Sequence, residues 1–324
     1  MMAAASATYL ELIARNRRNS VLLVTVFIIF VGITVGVLSA AALGAPPESA
    51  LGTGAIAIVG AGLVAMWSYY GGGRAILGMS GAHEIAKGDD PQLFNVVEEM
   101  AIAAGVPPPK VYLIDDTALN AFATGRDPEH AAVAITRGLR EQLSRDELQA
   151  VIAHEVSHVR HFDIRLMMLL ATLVGMVVLI TDFFWRTLRF RAWTGGGRRG
   201  SSRDGGAGAA LLVVAVLFSV VAPLFARIIQ LAASREREYL ADAGAVELTR
   251  NPDAMISALQ KLSSDNEVLE AANRATAHLY IVQPIKKFEK RAKGLFATHP
   301  SMESRIERLR TLVPGPAAGE EAAA

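Results

Sequence analysis

The sequence predicts a mainly helical α+β protein in which four membrane-helix candidates accompany a small β-sheet. Three observations lead to this prediction: an apolar composition, four apolar stretches of membrane length, and short strand-like segments between the second and third stretches. Hydrophobic residues make up 52% of the 324 residues and charged residues only 19%, and the mean hydropathy is +0.33. Soluble domains carry about 25% charged residues, so this composition is typical of a membrane protein.

The composition also excludes several classes of protein. The net charge of +1 lacks the basic excess that a nucleic-acid-binding face needs, so we expect no nucleic-acid partner. The chain has no cysteine, which excludes a disulfide scaffold, a cysteine nucleophile and a cysteine-ligated metal site. Any metal in this protein must therefore be held by histidine, aspartate or glutamate side chains.

The four apolar stretches approach the roughly 20 residues that span a bilayer core. The first is longer than the apolar core of a signal peptide, about 7–15 residues, so we expect it to stay in the protein. Gly32 and Gly36 within it form a GxxxG pattern, which predicts the close approach of another helix. Gly71–Gly73 predicts a flexible linker after the second stretch. The stretches run from Val21 to about Leu43, from about Gly54 to Tyr70, from Ile164 to Trp185 and from about Ala207 to Ile229.

The distribution of basic residues predicts the orientation in the membrane. Arg15, Arg17 and Arg18 precede the first stretch, whereas the loop that follows it has no basic residue. The positive-inside rule then places the N-terminus and the region of about residues 71–163 in the cytoplasm. An arginine-rich loop joins the third and fourth stretches, so whether these two cross fully stays open. In either case the chain returns to the same side, and segments before and after the pair can build one site.

The region between the second and third stretches predicts mixed secondary structure. Apolar residues at helical spacing end at Gly105, and prolines then break the chain before the first strand. Ser144 and Glu147 fit a capping box at the start of a further helix. The predicted elements are a helix over Pro91–Ala104, strands over Lys110–Ile114, Leu119–Thr124 and Ala131–Thr136, and the helix that follows Ser144.

The helix after Ser144 contains the motif His154-Glu155-x-x-His158. Histidines at positions i and i+4 lie on one helical face, where both imidazoles can bind a single metal ion. The glutamate between them lies beside that metal and can accept a proton from water. This pattern predicts a metallopeptidase site with a third ligand elsewhere in the chain.

The third ligand decides the subclass of metallopeptidase. A metzincin has glycine and histidine where this chain has His161 and Ile164, so that class is excluded. The remaining arrangement takes a carboxylate from a later helix. Glu238 is the candidate because Asp242, at i+4, can orient a ligand histidine, whereas the rival Glu236 has a leucine at that spacing.

Several stretches together resemble the HtpX-type membrane zinc endopeptidases, gluzincins related to the CAAX prenyl-protease group. The resemblance covers nearly the whole chain and implies a zincin-like catalytic domain that carries the small β-sheet. It implies one Zn²⁺ per chain, held by His154, His158 and Glu238, with Glu155 as general base and acid. The matching stretches are Asn120–Arg126, Ile135–Gly138, Asp146–Leu148, His154–His158, Ser234–Asp242 and Thr298–Arg305.

The same resemblance implies further site residues. His299 and Arg305 would stabilise the oxyanion of the tetrahedral intermediate; from the sequence alone they flank a helix start and also fit an ordinary cap and a solvated arginine. An edge strand would hold an extended substrate through main-chain hydrogen bonds, a mode that tolerates many sequences. The residues of that strand are Asn120, Ala121, Phe122 and Ala123.

The expected organisation divides the chain into six parts. These are an N-terminal cytoplasmic segment (1–20), two transmembrane helices (21–70), the first half of the catalytic domain (71–163), a helix pair in or on the membrane with a basic loop (164–231), the second half of the catalytic domain (232–313) and a disordered tail (314–324).

The resemblance implies proteolytic quality control of misfolded or damaged membrane proteins, as part of a stress response, in a bacterial inner membrane with the catalytic domain facing the cytoplasm. The expected partners are polypeptide substrates and the lipid bilayer. The alternative is a catalytically weak membrane scaffold or chaperone of the same fold. An intramembrane protease is disfavoured because charged residues flank the motif. Cleavage preference, oligomeric state, regulation and the role of His161 stay open.

Overall fold

A computed structural model of the protein describes residues 9–43, 47–193, 205–265 and 300–312. This part of the chain is mainly helical and contains one small mixed sheet. The helices are α1 (Tyr9–Leu43), α2 (Pro47–Met79), α3 (Pro91–Ala104), α4 (Arg137–Gln142), α5 (Arg145–Arg160), α6 (Asp163–Trp193), α7 (Gly205–Thr249), α8 (Pro252–Ser264) and α9 (Met302–Leu312), and the strands are β1 (His83–Glu84), β2 (Lys110–Ile114), β3 (Ala121–Thr124) and β4 (Ala132–Thr136).

These elements confirm the predicted α+β fold class. The predicted helix over Pro91–Ala104 and strand over Lys110–Ile114 have the observed bounds, and β3 and β4 begin slightly inside their predicted ranges. Neither β1, with two exposed residues, nor the six-residue α4 was predicted. Elements this short carry too few residues to show a periodic pattern.

The described residues form two compact units. The part up to Gly72 together with Leu169–Gln230 is one unit, and Gly73–Met168 together with the part from Leu231 onwards is the other. Helices α6 and α7 each begin in one unit and end in the other. The domain boundaries expected from the sequence stay predictions.

The sheet of the second unit has the strand order β1-β2-β4-β3. Strand β4 pairs in parallel with β2 and antiparallel with β3, so β3 lies at an edge. Alternate side chains point to opposite faces of a strand, and both faces of this sheet are apolar. Val133 and Ile135 face a core shared with α3, α5 and α8, while Ala134 and Phe122 face a smaller cluster with Ile76 at the end of α2.

Helix α5 lies in the centre of the larger core. Its first turn begins at Ser144, whose side chain accepts from the Glu147 N–H while the Glu147 carboxylate accepts from the Ser144 N–H, so the predicted capping box is confirmed. The glutamate also accepts hydrogen bonds from Ser257 and Lys261 of α8. These contacts fix the start of the helix that carries the His-Glu-x-x-His motif.

A glycine brings helices α5 and α7 close together. A Cβ atom at Gly244 of α7 would overlap Ser157 Oγ and lie 3.0 Å from Ser157 Cβ. Ser157 is fully buried on α5 and lies between the two motif histidines in the sequence. Because only a residue without a side chain fits there, the spacing of these two helices depends on Gly244.

The other unit contains the apolar helices. Within the described residues three helical stretches are long and apolar enough to cross a membrane, judged by length and composition: Val21–Ala40, Glu48–Met79 and Asp163–Phe190; Val213–Leu224 is a shorter apolar stretch. The observed helices extend beyond the predicted stretches. Helix α2 continues through Gly71–Gly73 to Met79, so the prediction of a linker there was wrong. The low helix propensity of glycine is a weak preference, and the helical turns on both sides of these three residues override it.

The GxxxG prediction for the first helix is confirmed. A Cβ atom at Gly36 would lie 2.9 Å from the carbonyl oxygen of Ala50, and one at Gly54 would lie 3.1 Å from the carbonyl oxygen of Gly32. Helices α1 and α2 thus approach backbone to backbone at these glycines. Such contact is a common means of helix association in lipid, where apolar burial adds little.

Candidate active site

Helix α5 presents the two motif histidines on one face. The rings of His154 and His158 are perpendicular, with centroids 4.8 Å apart. Their Nε2 atoms lie 3.2 Å apart, and His154 is almost fully buried. This follows from the i, i+4 spacing on a regular helix, which brings two side chains one above the other.

Helix α7 supplies a carboxylate that faces both rings. Oε1 of Glu238 lies 3.6 Å from Nε2 of His158, and Oε2 lies 3.7 Å from Nε2 of His154. Donors about 2.0–2.2 Å from a tetrahedral zinc are roughly 3.3–3.6 Å from one another. The three side chains therefore fit a His₂Glu metal site in donor type and in spacing. The side chain of the rival Glu236 lies outside what the structure describes.

Each histidine has a carboxylate at its other ring nitrogen. Nδ1 of His154 lies 3.0 Å from Oδ1 of Asp242, and Nδ1 of His158 lies 3.2 Å from Oδ2 of Asp163. Donation from Nδ1–H to a carboxylate leaves the Nε2 lone pair for a metal. Asp242 has the orienting position that the sequence predicted, whereas Asp163 was not predicted. Its one signal in the sequence is an aspartate at the start of an apolar stretch, five residues after His158.

Two buried arginines contact these carboxylates. Arg305 of α9 is fully buried and donates to Asp242 from Nε at 2.8 Å and from Nη2 at 2.6 Å. Its Nη1 lies 3.3 Å from Oε2 of Glu238. Arg237 of α7 donates to Oδ1 of Asp163. Buried carboxylates stay ionised only when they are paired and hydrogen-bonded. Asp242 has Arg305 as such a partner, and Asp163 has Arg237.

Of the two residues predicted to stabilise the oxyanion, the structure describes Arg305 and not His299. His299 lies outside the described residues. The guanidinium of Arg305 forms a bidentate pair with Asp242, so its described contacts are with the carboxylates behind the imidazoles. Contact with a reacting carbonyl stays a prediction for both residues. What the geometry adds is that Arg305 also holds the group that orients His154.

Glu155 lies on the same side of α5 as a small cleft. Burial raises its pKa to about 7; the positive charge of His158 and the Ala123 N–H oppose this rise, and the negative charge of Glu238 adds to it. A carboxyl group with such a pKa exchanges a proton near neutral pH. The cleft is lined by Ala123, Glu155, His158, Asp163, Ile164, Met167 and Glu238.

The edge strand β3 borders this cleft. The carbonyl of Asn120 accepts from the Thr136 N–H at 2.9 Å, so this pair is hydrogen-bonded. By the alternation of an antiparallel ladder Phe122 also bonds to β4, and Ala121 and Ala123 turn their main-chain groups away from β4; all four residues of β3 are buried. The Ala123 N–H lies close enough to Glu155 to oppose the rise in the pKa of its carboxyl group. The predicted substrate strand is thus an edge next to the motif glutamate.

The carboxylates around His154 and His158 favour a positive charge at this pair of imidazoles. Burial lowers the pKa of His158, but contacts with Asp163 and Glu238 outweigh it and raise the pKa to about 10. For His154 burial prevails, together with the charges of His158 and Arg305, and the pKa lies below its ordinary value. The carboxylates therefore favour one cation, a proton or a metal ion, in front of this pair.

The contacts of His161 are with the end of its own helix. It caps the C-terminus of α5 and is nearly buried, and its Nδ1 lies 2.7 Å from the carbonyl oxygen of Ser157. That distance allows Nδ1–H to donate to the carbonyl. Within the described residues the group that could hold a metal at this site consists of His154, His158 and Glu238.

A His-Glu-x-x-His helix that faces a glutamate of a second helix, in a chain with helices of membrane length, defines the class of membrane metallopeptidases. Comparison with known proteins gives the family. The model of Peptidase family M48 matches residues 87–313, and this chain belongs to that family.

Named relatives are similar over most of their length. A "Protease HtpX homolog" of Streptococcus equi subsp. equi is 48% identical over 237 residues, which cover 72% of this chain and 78% of that protein. Proteins of the same description from Ligilactobacillus salivarius and Listeria monocytogenes serotype 4a are each 42% identical and cover 92% and 93% of this chain and 97% and 99% of their own. A crystal structure of S. mikatae Ste24p is 22% identical, with a TM-score of 0.44, and covers 70% of this chain and 51% of that one.

These relatives bear out the coarser predictions. The protein is a metalloendopeptidase of the HtpX type that acts on polypeptides, and it is a multi-pass membrane protein. Its family implies a metal.

Proposed function

We propose that this protein is a zinc-dependent endopeptidase that cleaves misfolded or damaged membrane proteins at the cytoplasmic face of a bacterial inner membrane, as part of a stress response. The observation that carries the proposal is the convergence of three metal-donor groups beside a buried glutamate and the edge strand β3. The donor atoms of His154, His158 and Glu238 lie within 4.8 Å of one another, and Glu155 lies beside them.

One zinc ion per chain is proposed to be held by Nε2 of His154, Nε2 of His158 and the carboxylate of Glu238. When bound, it supplies a Lewis acid that lowers the pKa of water and polarises a scissile carbonyl. Asp242 and Asp163 hold the two imidazoles in the tautomer with the lone pair on Nε2. The chain thus offers three donor groups that would hold the ion.

Glu155 is proposed as the proton carrier of the reaction. It takes a proton from water as the oxygen bonds to the carbonyl carbon, and it gives that proton to the amide nitrogen as the C–N bond breaks. The products are a carboxylic acid and an amine, so atoms and protons balance. Arg305 and His299 are retained as candidates for contact with the negatively charged carbonyl oxygen.

Substrate recognition is proposed to occur at β3. An extended peptide would pair with the outward main-chain groups of Ala121 and Ala123, next to Asn120 and Phe122 in the same strand. Main-chain pairing gives affinity without a fixed side-chain sequence. Broad tolerance of this kind suits a protease that removes many different damaged proteins.

A direct test measures zinc content and casein cleavage for the detergent-purified chain, for Glu155→Gln and for protein treated with a chelator. The proposal expects about one zinc per chain in the first two and cleavage in the first alone. Glu141→Gln, an exposed substitution on α4, is the matched control and should cleave normally. Absence of chelator-sensitive cleavage in the wild type would favour the scaffold or chaperone alternative.

A further inference from the structure

We propose that Asp163 and Arg237 are positioning residues of the metal site, a second orienting pair that acts on His158 as Asp242 and Arg305 act on His154. This inference rests on the proposed metal-binding function and deepens it. The role of these two residues would be to fix the ring orientation and tautomer of His158 and to balance the charge of the site.

The two halves of the site repeat the same chain of contacts. On one side Nδ1 of His154 lies 3.0 Å from Asp242, whose other oxygen accepts from Arg305. On the other side Nδ1 of His158 lies 3.2 Å from Oδ2 of Asp163, and Oδ1 of Asp163 accepts from Arg237. Each carboxylate thus uses one oxygen for an imidazole, and each is paired with an arginine.

Burial makes this second pair more than a surface ion pair. Asp163 is 1% exposed and Arg237 8% exposed, similar to Asp242 at 3%. An exposed ion pair is screened by solvent, whereas a buried carboxylate without a cation is strongly disfavoured. Arg237 therefore lets Asp163 stay ionised, and an ionised carboxylate is the acceptor that the Nδ1–H of a metal-ligating histidine prefers.

Charge balance supports the same role. Around the site the described residues include four carboxylates, those of Glu155, Glu238, Asp163 and Asp242. With Glu155 ionised, two guanidinium groups and one divalent cation would neutralise them. Without the guanidinium of Arg237 the buried site would hold an uncompensated negative charge when the metal is bound.

The backbone places Asp163 at this point through an uncommon conformation. Phe162, between α5 and α6, has a φ of 61°, which residues with a side chain adopt only rarely. This residue belongs to the short turn between the two helices, and the first residue of α6, Asp163, contacts Nδ1 of His158. Left-handed conformations in residues other than glycine concentrate where function depends on the local geometry.

The experiment uses the full chain in detergent and measures zinc affinity by competition with a chromophoric chelator. Asp163→Ala should weaken zinc binding by about 10- to 100-fold, the usual range for an orienting partner. Asp242→Asn provides the reference effect on the other histidine. Arg237→Gln should weaken binding and Arg237→Lys should restore much of it, because the lysine keeps the charge. Arg160→Gln removes a partly exposed ion pair with Glu247, also between α5 and α7, and should leave the affinity unchanged.

A second readout separates positioning from folding. The visible spectrum of the Co²⁺-substituted protein reports ligand geometry, and the nearly isosteric Asp163→Asn should change it as Asp242→Asn does, measured at a temperature where circular dichroism shows each variant to be folded. Wild-type affinity and spectrum in Asp163→Asn and in Arg237→Gln would overturn this inference alone. A wild-type chain that binds no zinc would instead overturn the proposed function on which it rests.

Discussion

Arg305 donates two hydrogen bonds to Asp242, and both side chains are buried behind the metal-donor cluster. The arginine belongs to α9 and the aspartate to α7, 63 positions earlier in the chain. Burial alone would raise the pKa of Asp242, but the charges of Arg305 and His154 lower it below its ordinary value. The last described helix therefore holds the carboxylate that contacts Nδ1 of His154.

Replacing Arg305 by alanine should destabilise the protein and weaken its metal site. The substitution leaves Asp242 buried and unpaired, and breaking a buried pair in this way costs about 3–5 kcal/mol. Denaturant unfolding in mild detergent measures the loss, and chelator competition measures the metal. Arg310→Ala, at an exposed position of the same helix, is the control and should change neither. An Arg305→Ala protein as stable as the wild type would contradict the structural role.

The two glutamates next to Arg237 should differ sharply in their effect on metal content. Glu238→Ala removes the donor that lies 3.6–3.7 Å from both imidazole nitrogens and should leave the purified protein with much less than one zinc per chain. Glu236→Ala should keep the wild-type content. Elemental analysis of both variants decides between them. Full zinc in Glu238→Ala together with loss in Glu236→Ala would reverse the assignment of the third ligand.

Enlarging Gly244 should separate the two helices that hold the donors. In Gly244→Ala the new methyl group would overlap Ser157 Oγ, and overpacking of this kind costs about 1–3 kcal/mol. The melting temperature and zinc content should both fall. Adding Ser157→Ala should recover only part of the loss, because Ser157 Cβ would still lie 3.0 Å away. Gly88→Ala, with open space around it, should behave as wild type.

Glu147 should make stability depend on pH in the acidic range. Burial raises its pKa, but hydrogen bonds from Lys261, Ser257 and the Ser144 backbone prevail and lower it to about 2, from an ordinary 4.5. Its contribution to stability, on the order of 2–3 kcal/mol, is then present above about pH 4.5 and lost as the pH falls toward 2.

Unfolding free energies measured between about pH 6 and pH 2 should therefore fall less steeply in Glu147→Gln than in the wild type. The exposed Glu141→Gln serves as the matched control and should retain the wild-type slope. Equal slopes in all three proteins would mean that Glu147 titrates at its ordinary pKa and that its contacts with α8 contribute little.

Local features of the chain could be predicted because they depend on residues close in sequence. The i, i+4 spacing placed His154 and His158 on one face, and the capping box at Ser144 marked the start of their helix. Strand β2 was predicted with its observed bounds, since a run of five residues after three prolines leaves little choice. The failure at Gly71–Gly73 has a local cause too: helix propensity is a weak preference that neighbouring helical turns override.

From the sequence alone we predicted a donor set of two histidines and a glutamate beyond an apolar helix pair, in a chain without cysteine. The groups behind those predicted donors became visible only in the folded chain. Asp163 and Arg237 are 74 positions apart, and Asp242 and Arg305 are 63 apart. No periodicity links residues so distant, because their contact depends on how α5, α7 and α9 pack. Gly244 sets part of that packing, and its role appears only when Ser157 is seen opposite it.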